Sequence, residues 1–180
     1  MKKEIRICGF GGQGVILAGY IIGKAATVYM GYNAVQSQSY GPEARGGAAR
    51  SELIISDKKI GYPRPTSVDF LVAMSQESFD TYRDDIRDDT IIVLDPDLVP
   101  KNDIGRKVYK ISAQKIAEEL GNKIVTNIVM VGAATSIFDL LEEEAVGKSV
   151  SDSVPSKFKE LNEKAFDKGI EAGKNAKEKL

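Results

Sequence analysis

The sequence predicts a single α/β domain of three layers, in which a mainly parallel sheet carries helices on both faces and a β-hairpin is inserted. Strand-like and helix-like segments alternate along most of the 180 residues, a length that suits one compact core. The first strand runs into a glycine-rich turn that opens a helix. No repeat, low-complexity tract or linker divides the chain, so residues 1–180 are predicted to form one domain.

The first β-α-β unit gives this prediction its Rossmann-like character. Residues 4–8 alternate polar and apolar side chains, as a half-buried strand does. After the glycine-rich turn, an apolar helical run covers residues 15–30, and two of its glycines would let the helix approach the sheet closely: Gly19 and Gly23. Gly31 is in the position of a helix C-cap, and residues 33–38 are predicted as the second strand.

Strand and helix signals continue through the middle of the chain. Residues 50–55 and 59–62 flank a Ser56-Asp57-Lys58 turn and are predicted to pair as a two-stranded hairpin. Buried-strand patterns follow at residues 68–74, 90–94 and 108–111. Ser75 and Ser112 are predicted to cap the helices that begin after two of these strands.

The last third of the chain is predicted to be helical. Asn127 can cap a helix over residues 128–141 whose apolar side chains cover more than one face. One of those faces is expected to meet another subunit, or a second copy in a dimer of the isolated chain. Residues 142–154 are interpreted as a polar joint. After Pro155, apolar and small residues recur at spacings of three and four, which indicates a packed surface helix.

The composition excludes several classes of chemistry. Lys and Arg number 25 against 26 Asp and Glu, so no overall field draws the chain toward nucleic acid or an anionic membrane. With no His and one Cys, the chain lacks the usual near-neutral acid or base, and alone it can form neither a Cys/His zinc site nor a four-thiolate iron–sulfur cluster. Cys8 is expected to be a buried packing residue, and no catalytic residue or metal ligand is assigned. Without a signal-peptide pattern or an apolar run of the roughly 20 residues that cross a bilayer, the protein is expected to be soluble and cytoplasmic.

The segment Gly9-Phe10-Gly11-Gly12-Gln13-Gly14 has the G-x-G-x-x-G spacing between a strand and a helix, where this motif has meaning. Its backbone N–H groups and the positive end of the helix favour a phosphate or carboxylate, so the candidate anion-binding residues are Gly9, Gly11, Gly12, Gln13 and Gly14. A turn that serves only helix packing explains the same residues. A dinucleotide-binding fold would place an Asp or Glu about 20 residues beyond the turn to hold the ribose. This chain has Gln36-Ser37-Gln38-Ser39 there, which disfavours NAD or FAD.

A second motif, Ser39-Tyr40-Gly41-Pro42-Glu43-Ala44-Arg45-Gly46-Gly47, follows the second strand. The glycines allow tight backbone shapes, Pro42 stiffens the loop, and Tyr40, Glu43 and Arg45 offer directional polar contacts. Loops that leave the carboxyl ends of parallel strands lie at one edge of a sheet, so the two motifs are predicted to share that edge. An ordinary solvated loop is the alternative.

Together the two motifs closely resemble the gamma subunit, or gamma-type domain, of the 2-oxoacid:ferredoxin oxidoreductases. The resemblance continues in Ser56-Asp57-Lys58-Lys59-Ile60 with Pro63, in Val72-Ala73-Met74-Ser75-Gln76 and in Asn127-Ile128-Val129-Met130-Val131-Gly132, and it covers nearly the whole chain. Residues 38–43 look most like the loop of the 2-oxoglutarate enzymes. The 2-oxoisovalerate and indolepyruvate enzymes have similar loops and stay as alternatives.

The resemblance implies a non-catalytic subunit, inactive alone, of an enzyme that oxidatively cleaves a 2-oxo acid to acyl-coenzyme A, CO2 and reduced ferredoxin. It implies alpha and beta chains that hold thiamine diphosphate and Mg²⁺, a ferredoxin-like delta chain that holds 4Fe–4S clusters, and coenzyme A as co-substrate. The glycine turn then becomes a candidate coenzyme A contact. Candidate contacts with partner chains near the active site are Tyr40, Gly41, Pro42, Glu43, Arg45, Gly46 and Gly47. A free-standing nucleotide-binding module, regulatory or a small dehydrogenase, is the competing hypothesis.

Overall fold

The structure is a computed structural model of the chain, and it describes residues 1–40 and 48–179. In this part of the chain, six strands form one sheet in the order β2-β3-β1-β4-β5-β6. The strands are β1 (Lys2–Phe10), β2 (Asn33–Ser39), β3 (Ala48–Ser56), β4 (Phe70–Ala73), β5 (Ile91–Leu94) and β6 (Val108–Lys110). The helices are α1 (Val15–Lys24), α2 (Gln76–Tyr82), α3 (Ala113–Glu119), α4 (Thr126–Phe138), α5 (Glu143–Ser153) and α6 (Lys159–Glu178).

Both faces of the sheet are covered, because successive side chains of a strand point to opposite faces. In β4, Val72 joins the larger apolar cluster, to which α1, α4 and α6 contribute. Its neighbour Leu71 joins a smaller cluster on the other face, against Phe79 and Tyr82 of α2. The predicted three-layer α/β class is confirmed.

The sheet is parallel except at β3. Strands β1, β4, β5 and β6 pair in parallel, and β3 is antiparallel to both β1 and β2. The inserted hairpin therefore consists of β2 and β3, with Asn33 opposite Ser56. The prediction that residues 50–55 pair with 59–62 is wrong. Strands β1 and β2 already occupy both edges of β3. Residues 59–62 are irregular, and Pro63 directly after them has no N–H to donate to a neighbouring strand.

Helix α1 lies directly against β3. A Cβ atom on Gly19 would overlap Ser51 Oγ, and one on Gly23 would lie 3.0 Å from Leu53 Cδ2. The close approach predicted from these two glycines is confirmed. The helical run continues past α1 as a π-helical turn, Ala25–Tyr29.

Helix α4 is the buried centre of the C-terminal half, since every residue before its last one is buried. Helix α6 packs along it so closely that a Cβ on Gly132 would overlap the Phe166 carbonyl oxygen, and one on Gly169 would overlap that of Val129. The expectation that one face of residues 128–141 meets another subunit or a second copy is wrong. Helix α6 of the same chain covers the apolar face of this helix that was expected to meet a partner.

Two further helical predictions differ from the structure. Residues 142–154 contain α5 rather than a polar joint: Val146 is fully buried, and Ser149 Oγ donates a 2.7 Å hydrogen bond to a carbonyl of α1. Helix α6 forms as predicted, but its buried face also includes Phe166 and Ile170, because α4 and α5 together meet a wider stripe of it. None of the helices in residues 1–40 and 48–179 is long and apolar enough to cross a membrane.

The helix caps follow the sequence in one case and not in another. Ser75 Oγ accepts a hydrogen bond from Ser78 N at 3.3 Å, which caps α2 as predicted. Ser112 makes no side-chain cap; instead Asp95, at the end of β5, accepts from Gln114 N at 2.8 Å. Burial raises the pKa of the Asp95 carboxyl, although the hydrogen bond from the backbone N–H of Gln114 opposes the shift. A residue distant in sequence can therefore replace the local cap.

Replacing Gly169 by Ala is expected to lower the free energy of unfolding by about 2 kcal/mol, because the added methyl group must push α4 and α6 apart. A Cβ at this position would lie 3.0 Å from Ala133 N as well as overlapping Val129. Gly61→Ala is the matched control, since a Cβ there meets nothing within 4 Å. Urea denaturation followed by circular dichroism measures both variants. Equal midpoints would contradict the close packing of the two helices.

Candidate functional site

The predicted glycine turn joins the carboxyl end of β1 to the start of α1. Gly12 has φ +99° and Gly14 has φ +74°, a region that L side chains rarely adopt, so both positions require glycine. The Gly14 carbonyl accepts from Ala18 N at 2.9 Å, and α1 begins at Val15. The first N–H groups of α1, which have no acceptor within the helix, therefore lie beside the turn at the positive end of the helix dipole.

The side chain of Gln13 holds this turn in place. Its Oε1 accepts from Phe10 N at 2.6 Å, and its Nε2 donates to the Met74 carbonyl at 2.8 Å. Because Met74 directly follows β4, this one amide ties together the ends of two neighbouring parallel strands. The Gln13 amide is thus engaged inside the chain, which leaves backbone N–H groups as the donors of the turn.

Asn127 belongs to the site, and the prediction that it caps a helix is wrong. It lies within the first turn of α4, is 4% exposed, and donates from Nδ2 to the Gly14 carbonyl at 3.3 Å. The capping role falls to Asn122, whose Oδ1 accepts from Ile124 N at 3.0 Å at the start of a 3-10 turn, Lys123–Val125. An Asn before an apolar run suits a cap and a distant contact equally, so the sequence pattern could not distinguish the two.

A cleft of about 330 Å³ opens beside the glycine turn. Apolar side chains of α1, α6 and the segments before α4 and α6 form much of its wall, among them Leu17, Val125, Pro155 and Leu161. Its polar side chains are amides: Asn122, Asn127 and Asn162. Within the described ranges, no charged side chain lines this cleft. Its volume and largely apolar walls lie within the range of small-molecule sites. Of the residues that line it, the binding site predicted from the sequence included only Gly12 and Gly14.

The second motif begins at the same edge of the sheet as the turn. Phe10 ends β1 opposite Ala48, and Ser39 ends β2 opposite Arg50, so the two strand ends lie on either side of the start of β3. Tyr40 is 56% exposed there. The remaining candidates of this motif lie outside the described residues: Gly41, Pro42, Glu43, Arg45, Gly46 and Gly47.

A buried ion pair fixes β3 near the point where it follows residues 41–47. Arg6 Nε donates to Glu52 Oε1 at 2.8 Å, and both side chains are less than a tenth exposed. Arg50 donates to Tyr82 Oη at 3.3 Å and lies 5.3 Å from the centre of its ring. Burial opposes the Arg50 charge, but the hydrogen bond to Tyr82 and the attraction of Glu52 raise its pKa. These contacts hold the first half of β3 in a defined orientation.

Cys8 is completely buried in β1. Burial raises the pKa of its thiol to about 12, against the opposing effects of Ser78 and Arg6. The thiol stays protonated near neutral pH and is a packing residue, as predicted. In residues 1–40 and 48–179, no group of three or more His, Cys, Asp or Glu side chains could hold a metal ion.

The glycine turn, the cleft beside it and the hairpin are features of a Rossmann-like domain, and the described lining of the cleft has no ionisable side chain. The profile of the pyruvate ferredoxin/flavodoxin oxidoreductase family matches residues 4–172, and the chain belongs to this family. The predicted gamma-type resemblance is confirmed by its similarity to a keto/oxoacid ferredoxin oxidoreductase gamma subunit. That crystal structure, from Geobacter sulfurreducens, has a TM-score of 0.88 and 42% identity, with 98% of each chain covered.

Other relatives extend the comparison. The chain is 48% identical to the 2-oxoglutarate synthase subunit KorC of Methanocaldococcus jannaschii, over 97% of this chain and 95% of that subunit. It also resembles a 2-oxoglutarate:ferredoxin oxidoreductase of Magnetococcus marinus, solved with 2-oxoglutarate, coenzyme A and succinyl-CoA bound, with a TM-score of 0.82 and 27% identity. The match covers 97% of this chain and 31% of that longer chain.

Replacing Gln13 by Leu is expected to lower the free energy of unfolding by about 1–3 kcal/mol, because Phe10 N and the Met74 carbonyl both lose their partner. Exchange of the Phe10 amide hydrogen should also become faster, which nuclear magnetic resonance can measure. Gln114→Leu is the control, since it removes only an exposed 3.3 Å contact to Glu118. Unchanged exchange at Phe10 would show that Gln13 does not hold the turn.

Proposed function

We propose that the chain is the gamma subunit of a 2-oxoglutarate:ferredoxin oxidoreductase. This enzyme oxidatively decarboxylates 2-oxoglutarate in the presence of coenzyme A, forms succinyl-CoA and CO2, and passes the electrons to ferredoxin. The observation that carries the proposal is the 48% identity to a 2-oxoglutarate synthase subunit over 97% of this chain.

Enzymes for other 2-oxo acids are the second candidates, and the identities favour them less. The ketoisovalerate oxidoreductase subunit VorA of Methanothermobacter thermautotrophicus is 31% identical, and this chain spans 36% of its length. The indolepyruvate oxidoreductase subunit IorB of the same organism is 26% identical over 96% of this chain. The difference supports 2-oxoglutarate rather than a branched-chain or aromatic 2-oxo acid.

The redox groups of the reaction belong to other subunits in this proposal. A 4Fe–4S cluster takes four thiolates, whereas this sequence has a single Cys, whose thiol is buried with its pKa raised to about 12. We assign thiamine diphosphate and Mg²⁺ to alpha and beta subunits, and the clusters to a ferredoxin-like delta subunit that passes electrons to ferredoxin. Coenzyme A and ferredoxin are shared with central metabolism, so the cytoplasm is the compartment proposed for the complex.

The carboxyl edge of the sheet is the surface proposed to face these partners. Ile124 is 74% exposed and Phe158 is 41% exposed at the rim of the cleft. Exposed apolar side chains grouped around a cleft are typical of a surface that a ligand or another chain covers. Glu43 and Arg45 are proposed to bridge to partner chains, since charge-assisted hydrogen bonds fix the orientation of an interface. In this role the subunit positions other groups and contributes no reacting one.

The glycine turn and its cleft are proposed to contact coenzyme A. The turn offers backbone N–H groups at the positive end of α1, which favour a phosphate, and the cleft offers apolar walls and amides for an uncharged part of the molecule. The described lining holds no Lys or Arg, and we propose that a partner subunit or Arg45 balances the charge of the phosphate.

Substrate assays of the assembled complex test the proposed function. The chain is co-expressed with its partner subunits, and ferredoxin reduction is followed with 2-oxoglutarate, 2-oxoisovalerate, indolepyruvate and pyruvate. We expect the highest kcat/KM with 2-oxoglutarate and no turnover by the isolated chain with any of them. A preference for another 2-oxo acid would overturn the substrate assignment. Turnover by the isolated chain, or tight binding of NAD or ATP to it, would favour a free-standing module.

Replacing Ile124 by Glu is expected to raise the KM for coenzyme A roughly tenfold, because a negative charge at the rim of the cleft repels the phosphates of the ligand. Ile124→Gln is the control of equal size without charge, and we expect its KM to stay within about twofold. Both variants should fold, since the native side chain is 74% exposed. Steady-state kinetics on the complex give the values. An equal KM in the two variants would place coenzyme A elsewhere.

A further inference from the structure

A basic segment lies at the amino-terminal edge of the sheet, away from the turn and the cleft. Residues 58–64, here called the basic strap, read Lys58-Lys59-Ile60-Gly61-Tyr62-Pro63-Arg64 and connect β3 to β4. β3 ends at Ser56, which pairs with Lys2 at the start of β1. The strap therefore sits at the opposite edge of the sheet from the glycine turn. The proposed function uses none of its side chains.

Hydrogen bonds to buried groups hold both ends of the strap. After the strap, the buried carboxylate of Glu4 accepts from Thr66 N at 2.7 Å and from Ser67 N at 2.5 Å. Before it, Ser56 Oγ accepts from Lys58 N at 3.0 Å. Fixed ends mean that the strap presents its outer side chains from a defined position.

The cations of the strap form no ion pair in the described part of the chain. Lys58, Lys59 and Arg64 are exposed, and none of them forms an ion pair with another described residue. Asp57, which precedes the strap, pairs with the Met1 amino group at 2.6 Å, and Glu4, which binds the backbone after the strap, pairs with Lys2 at 2.6 Å. The hydrogen bond from the Met1 amino group is the main cause of the lowered pKa of Asp57, and the charge of the adjacent Lys58 also contributes. Asp69, further along the chain, pairs with Arg87 at 3.0 Å. The strap is thus a local concentration of unbalanced positive charge on a chain of net charge -1.

An aromatic side chain stands among these cations. Tyr62 is 59% exposed, and Pro63 follows it directly. Proline restricts the backbone, so ordering this segment against a partner costs little conformational entropy. Tyr and Arg are, with Trp, the residue types most enriched at the energetic centres of protein interfaces.

We infer that the basic strap is a docking surface for an acidic patch on another subunit of the complex. This inference rests on the proposed function, because it requires that the chain works within a multisubunit enzyme. A protein partner is favoured over a lipid surface, which takes clusters of about four to eight Lys and Arg. It is favoured over nucleic acid because the chain as a whole is not basic. The subunit then contacts different neighbours at the two edges of its sheet.

Charge reversal tests the docking surface directly. The variant Lys58→Glu, Lys59→Glu, Arg64→Glu is compared with a control that reverses three exposed cations away from the carboxyl edge of the sheet: Lys107→Glu just before β6, Lys177→Glu near the end of α6 and Lys179→Glu just after it. None of the control residues forms an ion pair within the described ranges. Each variant replaces three cations by Glu, so the two carry the same net charge. Association of each purified chain with the complex of the remaining subunits is measured by biolayer interferometry at several salt concentrations.

We expect the strap variant to associate roughly tenfold more slowly at low salt and to lose most of the salt dependence, because steering by charge acts on the association rate. The control should stay within about twofold of the native chain. Tyr62→Ala is expected instead to raise the dissociation rate, since a buried anchor acts mainly there. Circular dichroism should show the same fold for every variant.

Three outcomes would overturn the inference while the proposed function stands. One is a complex whose association rate and salt dependence are unchanged by the strap variant. Another is an equal loss in the control variant, which would indicate a general charge effect. The third is binding of the isolated chain to phosphatidylserine vesicles or to single-stranded DNA that is lost in the strap variant while subunit association is unchanged. A native chain that never joins the complex would instead refute the proposed function itself.

Discussion

Close packing at glycine residues is the constraint on which the rest of this structure depends. Helix α1 can lie on β3 because Gly19 has no side chain, and α4 can lie on α6 because Gly132 and Gly169 have none. The first contact fixes where α1 begins relative to β1, which places the glycine turn. The second contact fixes the position of α4, whose Asn127 side chain donates a hydrogen bond to the Gly14 carbonyl in the turn. The cleft is the space that these two packing arrangements leave between α1, α4 and α6.

The chemistry of the chain follows from what this arrangement leaves exposed. Its only thiol is buried and protonated, the described lining of its cleft is uncharged, and the buried Arg6–Glu52 ion pair joins β1 to β3. In the described residues, the cleft offers backbone, amide and apolar groups, which suit binding and positioning. In the proposed function the chain has this role, and the reactive cofactors belong to other subunits.

The sequence pattern predicted those parts of the fold that depend only on residues adjacent in the chain. The strand, glycine turn and helix at residues 2–24 and the Ser75 cap need only neighbouring residues, and both appear as expected. The alternation of polar and apolar residues in β3 predicts a strand but not its neighbours, because a strand of this kind can pair with any other strand that has a free edge. Likewise an all-round apolar helix at 128–141 signals burial but not whether its cover is α6 or another chain. Asn127 and Gly14 are 113 residues apart, a distance at which no spacing rule connects them.

Amide hydrogen exchange, measured by mass spectrometry on the isolated chain and on the same chain within its complex, tests the central claim most directly. If the carboxyl edge of the sheet is the surface that faces the active site, exchange at residues 9–14 and 122–125 should slow on assembly. Exchange in α4 should stay unchanged, because this helix is already buried. Identical exchange at the turn in both states would contradict the account.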